Sequence, residues 1–319
     1  MSPALPYWLR LLCLSLGAGA FSYAAGLLAA SVLAPALLRR LDPKRPLPPA
    51  RAARWLLGLR LLPAALAAMV VGGLCVPSYI WLEPVGRAER GSWGFSLAAA
   101  GGAVLVLLAV ARLAAAAIAS RRFCRRCRQI GRIFVVPGAA PMLALAGIVR
   151  PRLLISRSVL ARLSPAQLQA GLLHERAHLR ARDNLKRLLM ILTPAPGAGF
   201  RALERAWVRA AEWAADDRAV AGDSQRSLTL ASALVAVARL GPCAPIPPVA
   251  ALLVHASLAG DGADLAERVS RLLAPPAAPY TDAHSRVWAG WTGLSVLVWA
   301  MLQPTTLLAA HRLLERLVR

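Results

Sequence analysis

The sequence predicts a mainly α-helical membrane protein with four transmembrane helices and a small α+β domain between the third and fourth. Three observations lead to this fold class. Of the 319 residues, 58 % are hydrophobic and only 17 % are charged, against about 25 % charged in an ordinary soluble domain. Four apolar runs are long enough to cross a bilayer, which takes about 20 residues. The basic excess, a formal net charge of +23, lies largely beside these runs.

The four predicted spans cover residues 11–38, 61–81, 95–119 and 287–310. The first run is too long for a cleaved signal peptide, and two arginines follow it directly. The third contains Arg112, which must reach the membrane surface or face a partner. Small residues in the spans suit close helix packing. They are Gly17, Gly72, Gly73, Gly101 and Gly102.

Basic residues between the spans predict the orientation, because cytoplasmic loops carry an excess of Lys and Arg. The loop 39–54 is strongly basic, and so is the stretch 120–132, which has no acidic residue. We therefore expect residues 120–286 to be cytoplasmic and both termini, including a short tail at 311–319, to lie outside. An Arg-rich, Lys-poor chain is typical of a GC-rich bacterium, so the predicted location is the inner membrane. Because the arginines flank spans, no direct nucleic-acid binding is expected.

The cytoplasmic segment begins with two short predicted strands, Met142–Ala146 and Arg152–Ile155. A helix start follows: Ser164 can cap it, Pro165 suits its first position and Gln167 completes a capping box. We expect a substrate to add a strand beside the Met142–Ile155 region, as peptides do at an exposed sheet edge.

That helix carries the motif His174-Glu-Arg-Ala-His178. Two histidines at i and i+4 lie on one helical face, so both imidazoles can bind one zinc ion. Glu175 would sit beside the water position and act as general base and then general acid in peptide hydrolysis. With only five histidines in the chain, the motif is expected by chance on the order of 10⁻³ times.

A catalytic zinc needs a third protein ligand, and the next long helix offers Glu212. Asp216 shares its face and is assigned to orient a ligand histidine. Asp183, five residues after His178, could orient the helix end. The alternative for all three acids is that they balance local arginines on a wet surface.

These residues resemble the BlaR/MecR-type antirepressor metallopeptidases, a membrane gluzincin family. The likeness rests on the HExxH motif followed by Arg182-Asp183, and on Glu212-x-x-Ala-Asp216. It extends to Gly147–Ile155 upstream, to Glu267–Leu273 downstream and to the span order. The resemblance implies one catalytic Zn²⁺ and an endopeptidase that relays a signal by cleaving a cytoplasmic repressor of the winged-helix type, and perhaps itself.

Two departures keep other functions open. Position 215 is Ala, where the antirepressors often carry Cys and HtpX-type proteases carry Ala. We also expect no counterpart of the penicillin-binding sensor domain found at the C-terminus of the family, so no stimulus is indicated. The alternatives are an HtpX-type quality-control protease and a non-catalytic membrane signal transducer that keeps zinc for stability.

Three weaker features complete the predictions. Cys124 and Cys127 form a CxxC without further ligands nearby, which predicts a reduced pair. His255 is expected in an apolar helix, in a structural role. The apolar run 185–192 predicts that the site lies close to the membrane surface.

Overall fold

The computed structural model is mostly helical, with one small sheet. It describes residues 6–40, 47–84, 93–131, 133–137, 140–147, 151–241, 254–256, 262–274 and 295–318.

Three long apolar helices account for the first three predicted spans. Helix α1 is Tyr7–Arg40, and α2, Pro49–Val70, continues through a π-helical turn at Val71–Cys75 into α3, Val76–Leu82. Helix α4 is Trp93–Arg125. Each of the three stretches is long and apolar enough to cross a membrane. Membrane association is thus consistent with the structure, and the helices extend several residues beyond the predicted apolar runs.

Close approaches between these helices occur at only some of the expected glycines. A Cβ at Gly102 would collide with the backbone of Leu16, and one at Gly17 would lie 3.3 Å from the Cβ of Ala98. A Cβ added at Gly72 or at Gly101 would have no other atom of the described residues within 4 Å. Helices α1 and α4 therefore cross at Gly17 and Gly102, as the small-residue rule predicts.

The predicted fourth span, residues 287–310, is not found as one continuous helix. Its residues 287–294 lie outside the described residues. Residues 295–301 are helical, the helix breaks at residues 302–303, and a new helix, α11, covers Pro304–Val318. Proline lacks the N–H needed to continue a helix but suits the first turn of a new one. The predicted tail from 311 onwards therefore belongs largely to α11, which packs against α3.

The sheet contains five strands in the order β1-β2-β4-β3-β5. These are Arg128–Ile130, Ile133–Val136, Leu143–Ala146, Arg152–Ser156 and Val254–Ala256, for β1 to β5. The pair β2 and β4 is parallel, and the other pairs are antiparallel. Strands β3 and β4 match the two that were predicted.

Strand β5 corrects two expectations. His255 lies in this strand opposite Leu145, not in a helix. Because β5 pairs with β3 on the side away from β4, the region Met142–Ile155 offers no free edge to a substrate strand. The backbone N–H and C=O groups of β3 that were expected to pair with a substrate strand pair with β5 instead. The cause is a pairing over more than 100 residues of sequence, which local patterns do not reveal.

In the described residues, six further helices lie between α4 and residue 274. They are α5 Arg157–Arg162, α6 Pro165–Ala181, α7 Asp183–Leu192, α8 Ala198–Val220, α9 Ser224–Ala238 and α10 Gly262–Leu273. One core joins the sheet to these helices through buried Leu143, Ile155, Leu230 and Leu234.

Helix α8 connects this segment to the long apolar helices. Its buried residues Leu203 and Trp207 pack with Ala30 and Ala34 of α1 and with Leu56 of α2. Helix α7 packs against α4, where Ile191 meets Ala116. Helices α7 and α8, which lie beside the HExxH motif, thus pack directly against the long apolar helices.

Candidate metal centre

Helix α6 positions the HExxH motif, and its ends are well defined. Ser164 accepts from the backbone N–H of Gln167 at 3.3 Å, and the Gln167 side chain accepts from the N–H of Ser164 at 3.0 Å. This is the predicted capping box. The helix ends at Arg182, whose left-handed backbone (φ 54°) lets α7 begin at the next residue. That tight reversal places Asp183 beside His178.

Helix α8 brings the downstream acids to the motif, as the sequence predicts. His174 Nε2 lies 3.4 Å from Glu212 Oε2, and His178 Nε2 lies 3.7 Å from Glu212 Oε1. The two Nε2 atoms are 3.1 Å apart. His174 is fully buried, and His178 and Glu212 are 3 % and 7 % exposed. These three side chains form a group that could hold a metal ion.

The geometry of the group fits a tetrahedral metal. Bonds of about 2.0–2.1 Å place neighbouring ligand atoms about 3.3–3.4 Å apart. The 3.1 Å between the two Nε2 atoms, and the 3.4 and 3.7 Å from them to the two oxygens of Glu212, lie around this value. Each Nδ1 faces a carboxylate: His174 Nδ1 lies 2.8 Å from Asp216 Oδ1, and His178 Nδ1 lies 2.8 Å from Asp183 Oδ2. A carboxylate that accepts the Nδ1–H leaves the Nε2 lone pair for a metal. Two such lone pairs at 3.1 Å would repel each other without a cation between them.

The acids around the group also shift its titration. Burial lowers the pKa of His178, but Glu212 and Asp183 outweigh it and raise the pKa to about 9. His174 behaves in the same way: burial lowers its pKa, and Asp216 and Glu212 more than compensate. Both shifts have the same cause: the surrounding carboxylates favour a positive charge at this place.

Arg268 is a site residue that motif reasoning does not identify. This side chain of α10, 4 % exposed, donates to both oxygens of Asp216 at 2.9 and 2.7 Å. Its Nη1 also lies 3.2 Å from Glu212 Oε2. Burial raises the pKa of Asp216, but Arg268 and His174 together lower it below the usual range. The segment 267–273 was noted for its resemblance, yet nothing in it marked Arg268 as the partner of Asp216.

Asp183 and Arg187 define the other side of the group. Asp183, 2 % exposed, accepts from Lys186 at 2.7 Å as well as facing His178. Burial raises its pKa, but His178 and Lys186 bring it below the usual range. Arg187 stacks on Trp207 with its guanidinium carbon 5.5 Å from the ring centre. Burial lowers its pKa, while Glu212, Asp183 and Glu175 oppose that shift.

Glu175 follows the first ligand and is almost fully buried, 1 % exposed. Its negative charge contributes to the raised pKa of both His178 and Arg268, so its carboxylate acts directly on the group. The six predicted site residues thus lie together and are all buried. The alternative of acidic side chains that balance arginines on a solvent-exposed surface does not hold for Asp183, Glu212 and Asp216.

The CxxC pair lies apart from this group. Cys124 and Cys127 are free cysteines near the end of α4. They pack beside Phe134 and Leu154 of the sheet. Burial raises the pKa of the Cys127 thiol, which lowers its reactivity.

No protein-family model matches the chain, and no curated protein matches it either.

Proposed function

We propose that this protein is a membrane-embedded zinc endopeptidase. The observation that carries the proposal is the buried group of His174, His178 and Glu212, with Glu175 beside it. Two histidines and a glutamate are a ligand set that catalytic zinc uses with a fourth position left for water. The bound ion would lower the pKa of that water and polarise a peptide carbonyl.

The chain's own residues would supply the proton transfers. Glu175 accepts a proton from the attacking water and later delivers it to the leaving amine. Asp216 and Asp183 hold the two imidazoles in the tautomer whose Nε2 can bind metal, and Arg268 holds Asp216 in turn. Arg187, which lies near these carboxylates, balances their negative charge.

Substrate access in this proposal involves the edges of the sheet. All four central side chains are buried, and β5 covers the side of β3 that a substrate strand was expected to use. A peptide would therefore pair with an outer edge of the sheet, at β1 or β5, or displace β5. Either route at β5 would make cleavage depend on this short strand.

A regulatory role is favoured over general quality control by the contacts with the spans. Helix α8 packs on α1 and α2 from Phe200 to Ala211 and carries Glu212 and Asp216 directly after that stretch. A movement of the spans would reach the ligands through one rigid helix. We propose that the substrate is a winged-helix repressor in the cytoplasm of a bacterium, with the protein in its inner membrane. An HtpX-type protease remains the second candidate.

Substrate breadth tests this proposal. The full chain in lipid nanodiscs is incubated with zinc and either a winged-helix repressor encoded beside its gene or unfolded casein. Cleavage of the repressor alone, abolished by a chelator and restored by zinc, is the expected result. Cleavage of casein at a similar rate would favour the quality-control protease, and cleavage of neither would contradict the endopeptidase.

A further inference from the structure

A second group of potential metal ligands lies outside the HExxH centre. Glu83 follows the end of α3, and His311 and Glu315 are one turn apart on α11. One oxygen or nitrogen atom from each of the three side chains lies within 4.8 Å of the other two. The group therefore joins the C-terminal helix to the end of the second apolar stretch.

The separations in this group suit a metal better than hydrogen bonds. His311 Nε2 lies 3.6 Å from Glu83 Oε2 and 3.7 Å from Glu315 Oε1. Both are too long for hydrogen bonds, which lie near 2.7–3.2 Å. They are close to the roughly 3.3–3.4 Å that separates ligand atoms around tetrahedral zinc. The same range, up to 3.7 Å, occurs in the HExxH centre.

Arg10 fixes the orientation of Glu83. Its Nη2 lies 3.0 Å from Glu83 Oε1, and both side chains are less than a tenth exposed. The guanidinium carbon also lies 5.9 Å from the ring centre of Tyr79, whose hydroxyl donates to the carbonyl of Tyr7. Because Arg10 takes one carboxylate oxygen, the other is left facing His311. Such support of a ligand is what metal sites require beyond the ligands themselves.

The group lies at the opposite end of the spans from the HExxH centre. Arg10 is near the start of α1, whereas Ala34, which packs in the cluster with α8, is 24 residues further along. At 1.5 Å per residue these positions are about 36 Å apart, roughly the thickness of a bilayer. With the predicted topology, the second group faces the outside.

We propose that Glu83, His311 and Glu315 bind a second divalent ion of the zinc class, separate from the HExxH centre. One imidazole with two carboxylates is a donor set that zinc accepts, with room for a water as fourth ligand. The ion fixes α11 against α3 and, through Arg10, against α1. This site stands independently of the proposed peptidase activity.

Zinc content measured on the full chain in nanodiscs tests the site. After loading with zinc and dialysis, we expect two zinc per chain in the native protein and one in His311→Ala. The variant His174→Ala should also keep one, and the double variant none. Arg312→Ala, on the same helix but without a ligand, should keep two.

Glu315→Gln is a second probe, because its side chain is a third exposed and the substitution keeps its volume. It should lose one zinc as His311→Ala does. One zinc in the native chain that His311→Ala keeps and His174→Ala loses, or an unchanged content in both α11 variants, would overturn the second site. Neither result would contradict the proposed peptidase activity. That proposal would fail if His174→Ala retained zinc at the native level.

Discussion

Replacing Arg268 with Met perturbs the candidate metal centre without changing any ligand. Arg268 is 4 % exposed, and Asp216, which receives two hydrogen bonds from it, is 2 % exposed. The variant leaves a buried carboxylate with His174 as its remaining partner. Removing one member of a buried ion pair costs about 3–5 kcal/mol. Loss of support for a ligand typically weakens metal affinity by about 10–100-fold.

Arg271→Met is the matched control, since it lies on the same helix three residues away. Its pair with Asp217 is 32 % and 47 % exposed, so its loss should cost about 0–1 kcal/mol. Unfolding by denaturant in detergent gives the stability, and competition with a chromophoric chelator gives the zinc affinity. If both variants lost equal stability and both kept native zinc affinity, the assignment of Arg268 to the centre would be refuted.

Three further outcomes are expected. Arg60→Met should destabilise the chain by about 2–4 kcal/mol in denaturant unfolding, because buried Arg60 donates to Thr193 and to the carbonyls of Met190 and Thr193. Replacing exposed Arg201 with Met should change the stability by less than about 0.5 kcal/mol. Trp207→Ala, at a fully buried position, should cost about 3–5 kcal/mol in the same assay. Zinc binding to the metal-free chain at pH 7.5 should release protons, detected by an indicator dye, since the pKa of His178 is raised to about 9. Above about pH 9 the proton release should decrease, because His178 is already neutral there. Equal proton release at pH 7.5 and pH 10 would contradict this prediction.

Sequence reasoning was most effective where the signal is local or periodic. The capping box, the helix bearing His174 and His178, and strands β3 and β4 all follow from neighbours a few residues apart. Glu212 and Asp216 could be linked to the motif because metal chemistry demands a third ligand and a partner for each histidine. Three of the four predicted spans coincide with long apolar helices, because a run that matches the bilayer in length is visible in the sequence.

Features that depend on distant segments were missed. Arg268 meets Asp216 across 52 residues, and Arg60 meets Glu204 across 144. Strand β5 pairs with β3, which turns a predicted free edge into an internal strand. Residues of this kind look like ordinary surface arginines or an apolar loop in the sequence, because only the tertiary fold supplies their partners.

The central claim is that Glu175 performs proton transfer beside a zinc held by His174, His178 and Glu212. Its most direct test is the cleavage rate and the zinc content of Glu175→Gln, measured on one preparation. We expect native zinc content and a rate reduced by about 10²–10⁴-fold. Glu267→Gln, an exposed glutamate of α10, should match the native chain in both. A Glu175→Gln protein that cleaves at the native rate would contradict the account.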